Sequence, residues 1–512
     1  MSLQSLVMSN KKLTRLFMSK MTPEFWQKQA DKKALKVFKV ASEEVLAYKK
    51  VLEENDINPK EITSIADFEK LPILDKKSYI KKFSLHDLVL GGELKGKYTI
   101  EKSAGTTGGS FFWPRLAEED ESFPKYIEYA FVQFYKIDKL PTLVILTLAL
   151  GTWTSGEKMA QALRMSAVNK KYQMTVVTPG ANQEEVLEIV KHLSKEYQQT
   201  VIVGYPPFLK NVIDEGERGG IDWKGLNLKL GLGGEGYSEK WREYMAKKIG
   251  LSEKDLLGIS GGYGAADVGM SVGREYPITV LMRKLAYKDK KLAKALFGEE
   301  ENLPSLMQFN PSSFFIEEIK GELVFTVKAG IPLVRYNIHD RGGVISFDRA
   351  VSILRAHGYD ILKLLKDYGY QRGDIWRLPF FYVYGRSDGT ISVGGANIYP
   401  ENIDAALYNK ETAQVNSFKL KLSIDDDFNT RPCILVELCK NYRLLNESEV
   451  TELRNRLHRA FLKRMLKINS DYSDAYRVDQ KGTDPIIKIY EYGKGPFAKD
   501  KNKIKRTYVL KQ

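Results

Sequence analysis

The chain has 512 residues, 43% of them hydrophobic and 28% charged, which suits a soluble globular protein of two or more domains. Its 79 Lys plus Arg against 65 Asp plus Glu leave a net charge of +14, which favours anionic partners. Nucleic acid, coenzyme phosphates, an acidic carrier protein and acidic lipid all qualify, and so does a lysine-rich surface that binds nothing. No apolar run approaches the roughly 20 residues that span a bilayer. The longest, 140–150, contains Pro141 and Thr147 and is expected as a buried strand. Lys11, Lys12 and Arg15 interrupt the N-terminal segment, which lacks a secretory pattern, so a cytoplasmic location is expected. Cys433 and Cys439 flank an apolar run and are expected as strand residues, without a disulfide framework or a zinc site. The five histidines are scattered and form no HExxH pair.

In chain order, residues 1–47 and 42–55 are expected as helices, and Thr22-Pro23 is a start signal. Residues 64–76 form a turn-rich connection in which Pro72 keeps Leu71 out of the α region. Then comes Ser103-Ala104-Gly105-Thr106-Thr107-Gly108-Gly109-Ser110, three glycines and two threonines between a charged approach and an apolar continuation. Glycines bring backbone N–H groups close to a ligand, and successive N–H groups with hydroxyls form an anion site. Taken alone, this stretch reads as a phosphate cradle or as an ordinary surface turn.

Residues 118–135 are expected as a helix whose start Pro124 delays. Strands and helices then alternate: strand 142–150, helix 157–165, strand 172–178, helix 183–195, strand 200–204, helix 208–214, strand 229–233, helix 238–248 and strand 256–260. This order predicts an α/β architecture with largely parallel sheets, in which ligands gather at the carboxyl ends of strands. The glycine clusters after Leu150, Val203, Leu232 and Ser260 are expected at strand ends. From Phe314 the alternation changes to that of antiparallel strands, over 314–319, 321–327, 333–337 and 344–347. An excursion over 351–373 carries a helix near 361–368. Beyond a boundary at Gly385–Arg386 lies a smaller unit, with strands near 391, 415–422 and 433–439 and helices over 400–409 and 448–466.

Seven stretches in order resemble motifs of the adenylate-forming acyl-activating superfamily, within it the phenylacetate–CoA ligase-like branch. They are the cradle 103–108, the segment Ser64 to Lys76 ahead of it, and Gly233-Gly234-Glu235-Gly236-Tyr237-Ser238-Glu239. Tyr263-Gly264-Ala265-Ala266-Asp267, the run Pro332 to Asp340, Gly385-Arg386-Ser387-Asp388 with Gly395 to Ile403, and Asn502-Lys503-Ile504-Lys505-Arg506 complete the set. The resemblance implies an α/β fold. A large N-terminal adenylation domain would cover 1–384 and a small mobile α+β C-terminal domain 385–512, with the active site between them.

The implied activity is ATP-dependent activation of a carboxylic acid through an acyl-adenylate, then transfer to a thiol, with CoA as second substrate. Adenylation with transfer to an acyl-carrier protein or an amine is the alternative, and an inactive adenylate binder is a further one. A nucleic-acid-binding protein lacks any recognised motif here, and a homodimer is left open. In the implied site Ser103, Gly105, Thr106, Thr107 and Gly108 hold the ATP phosphates. Gly234, Glu235, Tyr263, Gly264, Asp340 and Arg386 face adenine and ribose, and a carboxylate suits a diol because it has two acceptor oxygens. Asp267 is the implied Mg2+ ligand, a hard oxygen donor near the phosphates. Its alternative is a helix N-terminal Asp. Lys503 is the implied catalytic lysine, with Lys505 as rival, and Asp388 the implied hinge. Trp153 and Tyr205, with Gly234, are expected around the acyl group, and Trp153 suggests an apolar or aromatic acid.

The chain departs from the pattern at four places. Gly109 and Ser110 stand where a lysine follows the cradle, and Asp267 stands for Glu. His339 stands for Gly before Asp340, and Asn502 for Gly.

Overall fold

The computed structural model describes residues 11–95, 98–103, 111–151, 154–169, 171–298, 303–387, 389–407, 414–442 and 446–498. Two compact units emerge. The first gathers the described residues of 1–102, 112–204 and 213–385, and the second those of 103–111, 205–212 and 386–512.

The first unit is built on a sheet of eleven strands, in the order β10-β11-β12-β13-β9-β8-β7-β6-β5-β3-β4. One half is parallel: β3 (Thr142–Leu146), β4 (Met174–Val177), β5 (Gln199–Gly204), β6 (Leu228–Leu232) and β7 (Ile259–Ala265). β3 and β5 are buried along their whole length. Helices cover both faces of such strands, so their sequences run apolar without alternation. In the other half antiparallel pairs join β7 to β8 (Gly269–Arg274), β8 to β9 (Ser305–Phe309), β9 to β13 (Phe380–Arg386), β10 (Phe314–Ile319) to β11 (Glu322–Val327), and β11 to β12 (Leu333–Ile345). A separate ribbon pairs β1 (Tyr98–Ser103) with β2 (Phe111–Leu116).

Helix α1 (Pro23–Glu44) begins where Thr22 Oγ1 accepts a hydrogen bond from Phe25 N at 3.3 Å, with Pro23 in the first turn. Its buried stripe of Trp26, Ala30, Ala34, Val37, Phe38 and Ala41 follows the helical period. Phe38 meets Phe68 at 6.1 Å, and Phe68 meets Phe315 of β10 at 5.9 Å. Each such buried ring contributes about 1.5–3 kcal/mol.

The second unit has its own core. A sheet of Val415–Ile424, Thr430–Leu438 and Ile486–Tyr490 packs against helix α2 (Glu447–Ile468). Leu453, Leu457, Phe461 and Met465 recur every three to four residues along that helix and are all buried. Cys433 is buried in the strand Thr430–Leu438 and Cys439 follows it, both as free thiols.

Three local expectations are corrected. The helix Ala117–Tyr135 starts ahead of Pro124 and runs through it. Acidic Glu118, Glu119 and Asp120 occupy its first turn, and Glu119 Oε2 accepts from Leu116 N at 2.8 Å, which sets the start upstream of the proline. The strand expected over 256–260, with glycines 261, 262 and 264 beyond its end, is instead β7, which contains those glycines. There β8 approaches closely: a Cβ on Gly264 would sit 3.0 Å from Gly269 O. The two segments expected at 333–337 and 344–347 are one strand, β12, of 13 residues.

Gly342 shows how tightly β12 meets β13. A Cβ there would overlap the carbonyl of Tyr382. Gly342→Ala should destabilise the protein by about 1–3 kcal/mol through overpacking, read as a lower melting temperature. Gly233→Ala, with nothing within 4 Å of the added carbon, should leave that temperature unchanged.

Candidate active site

In the first unit, Gly233 and Gly234 follow the carboxyl end of β6, and Tyr263 to Asp267 run through and past the carboxyl end of β7. After β6 the chain turns through Gly233 and Gly234. Gly233 N donates to Gly204 O at 3.2 Å, and Gly234 takes φ +83°, which a side chain would strain. Gly234 is exposed and Glu235 half-buried. Ser238 then caps the next helix, Glu239–Lys248, by accepting from Trp241 N at 3.1 Å.

A buried ion cluster fixes the far side of this loop. Arg242 Nη2 reaches Glu275 Oε1 at 2.6 Å, and Arg283 Nη1 lies 3.1 Å from both Glu239 Oε1 and Glu275 Oε1. Arg242 Nε also lies 3.1 Å from Glu239 Oε2, so two cations and two anions balance. All four side chains are at most 4% exposed. Glu275 Oε2 accepts from Tyr237 Oη at 2.5 Å and from Gly261 N at 2.8 Å. Arg283 Nη2 donates to Tyr237 O at 2.8 Å, and Arg242 Nη1 to Ile259 O at 2.6 Å. The loop after β6, the start of β7 and the end of β8 are thus held at one point. Burial raises the Glu275 carboxyl, but Arg242 and Arg283 outweigh it, and the group is held at about 2 against an ordinary 4.5.

Near the end of β7, Tyr263 is half-buried and its hydroxyl donates to Asp340 Oδ2. Its ring meets Phe381 edge-on at 5.3 Å. Asp340 belongs to β12 and is 8% exposed. Four residues beyond Tyr263, Asp267 Oδ2 accepts from Tyr336 Oη at 2.8 Å. Tyr336 is fully buried in β12. Two carboxylates are therefore each oriented by a tyrosine hydroxyl, across the same pair of segments. Gly264 lies exposed between them in sequence.

The ribbon β1–β2 is tied to this place by Arg115, which is 1% exposed. Its Nε donates to Glu101 Oε2 at 2.8 Å and its Nη2 to the carbonyl of Ala266, next to Asp267. Lys158 Nζ completes the network, 2.8 Å from Glu101 Oε1 and 3.0 Å from Asp120 Oδ1.

Ser103 is the last residue of β1. Gly105, Thr106, Thr107 and Gly108, with Trp153, Asp388 and Lys503, lie outside the described residues. Arg386 ends β13, half-buried, and Tyr205 follows β5 at 6% exposure; both cluster with the second unit. The first unit brings together Gly234, Glu235, Tyr263, Gly264, Asp267 and Asp340.

Tyr336, Arg115 and Glu275 were not singled out from sequence. Tyr336 lies inside a motif already quoted, whereas Arg115 and Glu275 sit in no recurring pattern and only their buried partners mark them.

Among the described residues no group of three or more His, Cys, Asp or Glu is placed to hold a metal ion. Asp267 alone suits a hard cation that takes its other oxygens from phosphate and water, as Mg2+ does. Among the described residues no helix is long and apolar enough to cross a membrane.

No protein-family model matches the chain. It is 21% identical over 380 residues to a phenylacetate–coenzyme A ligase of Aromatoleum evansii, covering 72% of each chain. It is 25% identical over 215 residues to one of Pseudomonas putida, covering 41% of this chain and 39% of the relative. Among solved structures it resembles 2-hydroxyisobutyryl-CoA ligase in complex with 2-HIB-AMP and CoA in the thioesterification state. The TM-score is 0.61 at 12% identity, covering 96% of this chain and 91% of that one. The open conformation of that ligase matches with a TM-score of 0.53.

Breaking the ion cluster should be costly, because one partner's removal leaves a buried charge unmatched, about 3–5 kcal/mol. A carboxyl held lower in the folded than in the unfolded state stabilises above its unfolded pKa, and that stability is lost as pH falls through the folded value. The protein should therefore lose stability between about pH 4.5 and 2 through Glu275. Glu275→Gln should be less stable at neutral pH and should lose less than wild type over that window, as read by urea unfolding at stepped pH. In sequence the chain is similar to phenylacetate–CoA ligases, and in fold it is similar to 2-hydroxyisobutyryl-CoA ligase.

Proposed function

We propose that this protein activates a carboxylic acid with ATP, through an acyl-adenylate, and transfers the acyl group to the thiol of CoA. The observation that carries this reading is the pairing of Tyr263, near the end of β7, with Asp340 of β12, beside the pairing of Asp267 with Tyr336. A buried carboxylate with two acceptor oxygens suits a ribose diol, and the Tyr263 ring offers a face to adenine. The resemblance to CoA ligases in sequence and fold supports the same assignment.

In the first half-reaction a carboxylate oxygen of the acid attacks the α-phosphorus of ATP. The bond from that phosphorus to the bridging oxygen breaks, and pyrophosphate leaves. Two anions must be brought together, so the barrier falls with cations and N–H donors fixed in advance. The backbone of 105–108, with Thr106 and Thr107, serves the β- and γ-phosphates, and Lys503 the carboxylate and α-phosphate oxygens. Asp267 would hold Mg2+, which supplies charge neutralisation at the phosphates. Asp340, with Arg386 assisting, holds the ribose, and Gly234 and Glu235 line the adenine and acyl side. In the second half-reaction the CoA sulfur attacks the acyl carbon, the acyl–oxygen bond breaks, and AMP leaves.

Residues 1–384 form the adenylation domain in this scheme, and 385–512 a domain that reorients at Asp388 between half-reactions. Trp153 and Tyr205 line the acyl pocket, and an apolar or aromatic acid is the expected substrate. Dependence on ATP and CoA supports a cytoplasmic location.

ATP–pyrophosphate exchange across a panel of aliphatic and aromatic acids tests this. Acid-dependent exchange followed by acyl-CoA release is expected. Exchange without CoA product would redirect the second step to a carrier or amine, and no exchange with any acid would overturn the reading. Asp340→Ala should raise the KM for ATP by about 10- to 100-fold, since a charge-assisted hydrogen bond contributes about 1.5–3 kcal/mol. Lys503→Ala should abolish adenylate formation and spare thioester formation from supplied acyl-adenylate. Equal loss in both half-reactions would count against its role.

A further inference from the structure

His339 sits immediately before Asp340 and takes φ +63°, the left-handed region that favours glycine. It stands where the resembling motif has glycine. A histidine there is strained, and such strain persists only where neighbours over-determine the conformation. The neighbours are specific. His339 Nε2 lies 3.3 Å from Asp75 Oδ2, and its Nδ1 3.6 Å from Glu322 Oε2. The three side chains are 34%, 29% and 25% exposed. His339 N donates to Asn337 Oδ1 at 2.7 Å, and Asn337 Nδ2 donates to Glu322 Oε2 at 2.5 Å.

Asp75 is not a chance neighbour. The segment before it lies along β12 as a short parallel bridge between Leu74 and Tyr336. Leu74 N donates to Arg335 O at 3.0 Å, and Asn337 N to Leu74 O at 2.7 Å. Arg335 Nη1 in turn donates to the carbonyls of Phe68 at 2.6 Å and Leu71 at 2.8 Å. Asp75 itself is fixed by Ser78, whose backbone N donates to its Oδ1 at 2.6 Å. The clamp therefore joins a rigid external segment to one point of β12.

That point matters because a left-handed residue in a strand breaks the alternation of side chains and re-aims the side chain after it. The register of β11 against β12 is irregular, with Glu322 opposite Arg341 and Val324 opposite Asn337. His339 falls within this irregular stretch, and the next side chain, Asp340, meets Tyr263.

We infer that His339 is a positioning residue for the nucleotide site: clamped between Asp75 and Glu322, it holds the kink of β12 that directs the Asp340 carboxylate to the ribose. The inference rests on the proposed nucleotide role of Asp340 and adds a residue in which this chain differs from the motif it resembles. His339 acts through the backbone and touches no substrate.

The test uses His339→Gly, Asp75→Asn and the double variant of the full chain. Glycine is at ease at φ +63°, so His339→Gly removes the clamp without adding strain. The readouts are ATP affinity by calorimetry, the split between KM for ATP and kcat in pyrophosphate exchange, and melting temperature. The expected result is a weakening of ATP binding by about fivefold or more in each single variant, within the range of couplings between residues in contact. The kcat should stay within about twofold, since the clamp touches no reacting group. The double variant should be no worse than the weaker single one, and the melting temperature of His339→Gly should match or exceed wild type. Wild-type affinity in His339→Gly overturns the inference and leaves the function standing. Additive losses in the double variant, or a fall in melting temperature that tracks the loss of affinity, also overturn it. A wild-type protein that binds no ATP overturns both the inference and the nucleotide reading beneath it.

Discussion

The buried cluster of Glu239, Arg242, Glu275 and Arg283 is the constraint on which the candidate site depends. Charges taken out of water are expensive, and the cost is met only when partners are complete and well placed. Here the two carboxylates and two guanidiniums balance, and Tyr237 Oη, Gly261 N and two backbone carbonyls take up further bonding capacity. Such a cluster tolerates little displacement. It joins the loop that carries Gly234 and Glu235 to the base of the strand that carries Tyr263. These elements of the candidate site are thereby set relative to one another, the kind of preorganisation from which electrostatic catalysis benefits.

A second layer of polar contacts carries the order outward. Tyr336 orients Asp267 and Tyr263 orients Asp340, so the two candidate carboxylates are anchored to opposite segments in a crossed arrangement. Arg115 brings the ribbon β1–β2 onto the carbonyl beside Asp267. Its own charge is matched by Glu101, and Glu101 by Lys158. Each member of this chain is buried or nearly so, and each depends on the next for its partner. Hydrogen bonds in such networks are worth most when every member is satisfied.

β12 adds a different kind of constraint. It carries two non-glycine residues with positive φ, Arg335 and His339. Both are held by the segment that precedes the ribbon, one through its guanidinium and the other through its imidazole. A regular strand would alternate its side chains, whereas this one departs from that pattern next to Asp340. The irregularity lies beside a site residue, where strand bulges are concentrated in proteins generally.

The sequence by itself determined the α/β character, the parallel half of the sheet and the candidate carboxylates. Short apolar runs such as 142–150 and 200–204, bounded by glycine and proline, read as buried strands, and the order of motifs points to one superfamily. Glycines 261, 262 and 264 do not end the strand after Ser260, because glycine also serves close strand approach. Pro124 misled because its effect depends on where the first turn forms. Tertiary structure alone decided which side chains meet. Glu275, Arg115 and Tyr336 carry no local signature, since an ion pair or hydroxyl contact between residues far apart in sequence leaves no periodic trace. The strain at His339 is of the same kind: the substitution is visible in the sequence, but its partners Asp75 and Glu322 are defined only when the chain folds back on β12.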